Sequence, residues 1–183
     1  MRYIVILSLI YIALWANDYS DFKKYYYKQN YSDYKKACQI GKKIVYGGER
    51  DEKMLSLIGV ACMRADYIDM LSIIQSRLYQ SEKARKNATV FSSLILQKRL
   101  IYQFLYDDVD LSTLALPISN HPLSKTFVAI RDKEYTTLHV KPKMIEFKDA
   151  DNIYRVYIDY TKSGKVAIDI TLSDGTIQQH RYR

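Results

Sequence analysis

YRVYIDYTKSGKVAIDITL, residues 154–172, carries two runs of alternating apolar and polar residues either side of one glycine. Tyr154, Val156, Ile158 and Tyr160 alternate with Arg155, Tyr157 and Asp159, and Val166, Ile168, Ile170 and Leu172 alternate with Ala167, Asp169 and Thr171. A period of two is the mark of a strand with one buried face. Gly164 sits where a three-residue hairpin loop wants a left-handed residue. With Lys162-Ser163-Gly164 as that loop, Thr161 pairs with Lys165, and Tyr160, Ile158 and Val156 face Val166, Ile168 and Ile170. A two-residue loop would put the apolar sets on opposite faces. Upstream, Ile145 and Phe147 alternate with Glu146 and Lys148; downstream, Thr176–Tyr182 makes a more polar strand after the turn signal Asp174-Gly175. We expect a two-residue turn there, with Leu172 opposite Ile177; a three-residue loop would bring Val166 opposite Tyr182 instead. The result is a three- to four-stranded antiparallel β-meander with one apolar face. So small a sheet needs a cover. A helix near 122–134, begun by Pro122 and facing inward with Leu123, Phe127 and Ile130, is one source of it; the last helical hairpin is the other. A strand at 126–131 is the alternative reading of that segment.

Before residue 118 the period is three to four. Tyr31, Tyr34, Cys38, Gly41 and Val45 share one helix face, with Ser32 or Asn30 to cap its start and Gly47-Gly48 to end it. Met54, Ile58, Ala61, Cys62 and Ala65 give a second face, broken by Asp66, which is placed to cap the next helix. Tyr67, Leu71, Ile74 and Leu78 continue the pattern. The polar stretch Gln80–Asn87 then separates a third run, Phe91–Leu105, and Leu111, Leu114 and Leu116 suggest a short helix stopped by Pro117. The fold class is therefore α+β: antiparallel helical hairpins at 17–118, then a small β-domain at 119–183.

The hairpins repeat. Residues 22–38 lie over 58–74 at an offset of 36, Phe22 on Ile58, Tyr25 on Ala61, Tyr26 on Cys62 and Asn30-Tyr31 on Asp66-Tyr67. On Ile58-Gly59-Val60-Ala61 and Ala65-Asp66-Tyr67 the chain resembles the tetratricopeptide-repeat family over about residues 19–118. The first matches that family's leucine-glycine-x-alanine and the second its glycine-aspartate-tyrosine turn. The turns here are one residue shorter. Tyr34 and Met70 stand where the family has alanine, and no proline closes either repeat. The resemblance implies stacked hairpins that bind a protein or peptide on their concave face.

The N-terminus points to export. After Arg2 comes the uncharged run IVILSLIYIALWA, Ile4–Ala16. Thirteen residues are too few for a span of roughly 20. With small Ala16 before polar Asn17-Asp18, the layout is that of a secretory signal peptide at 1–16. A short membrane anchor or a buried helix are the alternatives. No cysteine follows Ala16, so no lipid attachment there is expected. Removal of 1–16 takes one Arg from the net charge of +8, leaving 27 − 20 = +7.

Export makes the even pair Cys38 and Cys62 candidates for a disulfide. They lie on helices expected to run antiparallel about Gly47-Gly48. A loop reaching Arg50 or Glu52 brings them level; two buried thiols are the alternative. The remaining chemistry is sparse. His121, His139 and His180 show no metal spacing, and no nucleophile, phosphate-loop or dinucleotide motif is present. Asp107, Asp108 and Asp110 lack the glycine and closing glutamate of a calcium loop. We expect no catalytic site, cofactor, metal, small-molecule substrate or nucleic acid partner.

The candidate partner-binding residues are Lys24, Tyr25, Tyr26, Tyr27 and Lys28, within a Tyr/Lys cluster that continues through Lys36. Tyrosine is enriched at protein interfaces. The plainer reading has Tyr31 and Tyr34 in the core and the lysines solvated. The expected role is a periplasmic or secreted scaffold that binds another envelope protein or peptide; an anionic cell-wall or membrane surface is the second partner class.

Overall fold

The computed structural model describes residues 18–162 and 164–182. The expected signal peptide lies outside the described residues. The architecture is α+β, with helices first and an antiparallel meander last. The chain divides into two compact units, Met1–Ala88 and Thr89–Arg183. The division falls inside a helix.

In the first unit, residues 18–26 form α1 and Tyr31–Tyr46 form α2. Asn30 caps α2, its side chain accepting from the Asp33 N–H at 2.9 Å. Gly47 closes α2 by donating to the Lys43 carbonyl, and Gly48 takes the left-handed turn at φ +99°. Helix α3, Glu52–Arg64, is capped by the Asp51 side chain. Asp66 does not cap the next helix. It holds the turn itself at φ +64°, buried, and its carboxylate accepts from the Tyr31 hydroxyl at 3.2 Å. A 3-10 turn, Ile68–Met70, leads instead into α4, Leu71–Gln75. Leu71, Ile74 and Leu78 are buried, as their spacing required.

Helix α5, Glu82–Asp107, runs 26 residues across the boundary between the units. It begins inside the polar stretch expected to be a separator. Ser81 Oγ accepts from the Ala84 N–H at 3.2 Å, and Glu82 pairs with Lys86 one turn on at 2.7 Å. Glu, Lys and Ala are good helix formers, so that first turn is a solvated one. After Asp107 there is no helix at 111–116. Asp110 accepts from the Ser112 N–H and hydroxyl, which fixes a turn, and Pro117 disfavours helical backbone at Leu116.

In the second unit, α6 spans Pro122–Arg131 with Pro122 in the first turn, and the strand alternative falls away. The sheet has five strands in sequential order: β1 Thr136–His139, β2 Met144–Asp149, β3 Asn152–Asp159, β4 Lys165–Thr171 and β5 Ile177–Tyr182. Strand β1 is the addition. It is four residues long and exposed throughout, so no alternation announces it.

The β3–β4 faces are as expected, but the partners slide by two. Ile158 pairs with Val166, Val156 with Ile168 and Tyr154 with Ile170. Tyr160–Lys162 coil into a 3-10 turn, pinned by Asp159 accepting from the Thr161 N–H and hydroxyl, so the loop is longer. A slip of two keeps every side chain on its face. Gly164 is left-handed at φ +61°. The expected two-residue turn at Asp174-Gly175 is not formed. Leu172 N–H bonds the Thr176 carbonyl, Gly175 is at φ +83°, and Val166 faces Tyr182.

The core face is built of rungs: Ile145–Val156–Ile168, Phe147–Tyr154–Ile170 and Ile158–Val166–Tyr182. Burying each such side chain contributes about 1.5–3 kcal/mol. Helix α6 covers them. Lys125 pairs with Asp149 on β2 at 2.5 Å, and the His121 ring lies 5.7 Å from that of Tyr182. The second half of α5 belongs to the same unit: Lys143 Nζ stands 3.9 Å from the centre of the Phe104 ring.

Candidate interaction surface

The Tyr/Lys cluster splits along the α1–α2 hairpin by helix geometry. Phe22 is fully buried and stacks on Tyr26 at 5.6 Å, and Tyr26 meets Tyr34 edge-on at 5.9 Å. Tyr26 is thus half-buried in the hairpin's own aromatic seam, and its hydroxyl is pushed up first by burial. Tyr25, one residue earlier, sits on a different side of the helix. Three ammonium groups surround its ring: Lys36 at 5.3 Å from the centroid, Lys28 at 5.6 Å and Lys24 at 5.9 Å. Among the described residues none of the three lysines has an ion-pair partner. Tyr27 is 64% exposed.

Of the five expected contact residues, the structure therefore gathers Lys24, Tyr25 and Lys28, turns Tyr26 inward, and leaves Tyr27 exposed with its ring edge-on to Tyr26 at 5.4 Å. It adds Lys36 from α2, which reaches Tyr25 only because the hairpin closes. The plainer expectation for Tyr31 and Tyr34 holds in half. Tyr34 is buried and accepts from Arg64, whereas Tyr31 is 50% exposed and anchored by its hydroxyl to Asp66. Burial and the Asp66 carboxylate push the Tyr31 hydroxyl up to about 12.

Behind this surface the hairpins are locked together. Cys38 on α2 and Cys62 on α3 form a disulfide with Cα atoms 4.7 Å apart. Cys38 lies 46 − 38 = 8 residues before the end of α2 and Cys62 lies 62 − 52 = 10 after the start of α3. The mismatch is two residues, about 3 Å of rise. One turn along, Gly41 lets the helices touch. A Cβ there would lie 2.6 Å from Ile58 Cγ2.

A second polar constellation, not expected from sequence, lies on the sheet face opposite the core. Tyr157 donates to Asp169 at 2.9 Å, Arg181 donates to Asp169 at 2.6 Å and to the Tyr157 hydroxyl at 3.0 Å, and Asp159 is 3.4 Å from Arg181. Burial, then the Asp169 bond, raises the Tyr157 hydroxyl; burial opposes but Asp169 and its neighbours keep the Arg181 guanidinium firmly charged. The network ties β3, β4 and β5, and its donors and acceptors serve one another.

The two sheet edges differ. Strand β1 is short and carries a register irregularity between Thr137 and His139, both devices that blunt an edge. Strand β5 pairs evenly with β4 from Tyr182 to Ile177. Antiparallel alternation turns the main-chain groups of Ile177, Gln179 and Arg181 away from β4. His121 caps α6 with its ring near that of Tyr182, on which His180 also stacks, whereas His139 lies on exposed β1. Among the described residues no group of three metal-ligating side chains is gathered, and no helix is long and apolar enough to cross a membrane.

No protein-family model, curated protein or solved structure matches this chain. The residues alone carry its functional reading.

Proposed function

We propose that the chain is an exported, non-enzymatic scaffold or adaptor of the cell envelope, and that its first helical hairpin docks an acidic partner protein. The carrying observation is the ring of Lys24, Lys28 and Lys36 about Tyr25, with Tyr27 exposed two residues on. Convergent cations repel one another, and a facing carboxylate relieves that repulsion. Tyrosine adds contact area at low entropic cost. The apolar run at Ile4–Ala16 supports export, and the Cys38–Cys62 bridge suits an oxidising compartment. The tetratricopeptide-like residues support a protein-binding role. The β5 edge offers a second point of attachment by strand addition.

The test is crosslinking in intact cells, capture of the tagged protein and mass spectrometry, repeated with Tyr25→Ala and with Lys24→Gln/Lys28→Gln/Lys36→Gln. A dominant acidic envelope protein, lost in both variants, is the expected result. A partner retained by both variants would refute this surface.

The same lysines favour one further reading, attachment to anionic cell-wall or membrane material. In that case no protein is captured specifically. The chain then stays with the envelope fraction and is released by salt, since exposed charges are screened within about 10 Å at 0.1 M.

A further inference from the structure

Natural sheets blunt an open edge with shortness, bulges, prolines or charges that stand on it. Strand β1 is blunted in this way, being short, exposed and irregular in register between Thr137 and His139. Strand β5 is not. It pairs with β4 without interruption from Ile177 to Tyr182, holds no proline, and carries no charged side chain at Ile177, Gln178 or Gln179. Its arginine, Arg181, is drawn back over the sheet face by Asp169 at 2.6 Å and Asp159 at 3.4 Å.

The turn before β5 decides which groups face outward. Leu172 N–H bonds the Thr176 carbonyl. Counting on from that pair, Gln178 and His180 bond β4, and Ile177, Gln179 and Arg181 turn their N–H and carbonyl groups to the outer side. Among the described residues nothing bonds those outward groups. The edge is complementary to itself. Laid antiparallel about Gln179, two copies set Ile177 opposite Arg181 of the second copy and Gln179 opposite Gln179. This register uses all three outward residues of each chain and opposes no like charges, whereas one centred on Arg181 would oppose two guanidinium groups.

We infer that β5 pairs with β5 of a second copy of this chain, antiparallel about a two-fold axis at Gln179. The three residue pairs exchange up to about six N–H···O bonds. Ile177, 58% exposed in the single chain, gains the aliphatic stem of the second copy's Arg181. A second copy fits this edge because the strand offers no exposed charge for a charged partner strand to answer and matches its own main-chain pattern. The assembly closes at two, since an isologous contact consumes the same edge of both chains and leaves only blunted β1 at either end. This gives strand addition at β5 its occupant and rests on no feature of the Tyr25 surface.

Sedimentation equilibrium on the full chain, across roughly a thousandfold range of concentration, tests the pairing. The mass should rise from one chain to two and stop there. Gln179→Pro deletes the outward N–H at the axis and spares the bonds to β4, so it should weaken dimerisation by roughly tenfold or more. Gln179→Lys keeps every backbone group, sets two ammonium groups face to face and should weaken it too; this variant decides should the proline one fail to fold. Amide exchange at 177, 179 and 181 should slow as concentration rises, and exchange at 136–139 should not. Added salt should leave the dimer as strong or stronger, because the ladder contains no ion pair and both copies are basic. The inference is overturned by a single-chain mass throughout, by growth beyond two copies, by a dimer indifferent to Gln179→Lys, or by protection confined to other residues. Protection at 177–181 that appears only with a captured envelope protein would assign the edge to another chain's strand and overturn it as well. Tyr25→Ala should leave the dimer unchanged, so this pairing and the Tyr25 reading fail independently.

Discussion

Gly41 and Glu52 show how single side chains set the helical unit. Gly41 is buried where α2 meets α3, and any Cβ must displace Ile58. Gly41→Ala raises intrinsic helix propensity and yet should destabilise the unit by about 1–3 kcal/mol through overpacking, read as a lower midpoint in urea. A rise in midpoint would show that Ile58 moves aside freely. Glu52 works through the backbone. Its carboxylate accepts from the N–H groups of Tyr79, Gln80 and Ser81 and from the Ser81 hydroxyl, and so holds the turn into α5. Partial desolvation works to raise its pKa, but those four bonds outweigh it and lower the pKa from 4.5 to about 2. A depressed folded-state pKa stabilises above the unfolded value, and the contribution fades as pH falls from 4.5 to about 2. Glu52→Gln should therefore lower the melting temperature at pH 7 and make little difference near pH 2. An equal loss at both ends of that range would remove the carboxylate from this role.

Among the elements, the α2–α3 pair is the firmest. Its bridge closes a loop of 24 residues' separation, for which chain entropy gives about 3 kcal/mol. Cys38→Ala/Cys62→Ala should lower urea stability by about 2–4 kcal/mol, with the loss showing in helical rather than sheet signal. This bridge was legible in the sequence, because helical rise converts residue counts into distance. The strand faces were legible for the same kind of reason, a period of two being independent of partner. Register was less so. It hangs on turn length, and the Asp159–Thr161 bonds that lengthen the β3–β4 loop are made by polar residues with no periodic signal. Strand β1 was hidden because Thr136–His139 buries neither face. The start of α5 was hidden because its first turn is a solvated run of charged helix formers. The helix expected at 111–116 fails where Asp110 offers the backbone a competing turn.

At the scale of the whole molecule, what the sequence shows of the site is its composition, not its assembly. Lys24, Tyr25, Tyr27 and Lys28 could be named from one segment. Lys36 joins them only across a closed hairpin, and Tyr26 leaves them because its neighbours Phe22 and Tyr34 form a seam. The Tyr157–Asp169–Arg181 network needs three strands in the right register, so no local pattern reveals it. The surface makes a physical prediction. Capture of the proposed partner through Tyr25 and its lysines should weaken steeply with added salt, and Lys24→Gln/Lys28→Gln/Lys36→Gln should flatten that dependence while leaving the melting temperature almost unchanged. A salt response identical in the variant would locate the charge effect elsewhere on this basic chain.

The turn between α2 and α3 exposes Gly47, Gly48 and Arg50, while the crosslink beyond it is fully covered. Trypsin cutting after Arg50 would sever the chain without releasing either piece. The nicked protein should migrate whole until a reductant is added and then separate in two. Breakage at the tip would therefore leave the hairpin in one piece, a tolerance that suits the exported location proposed above.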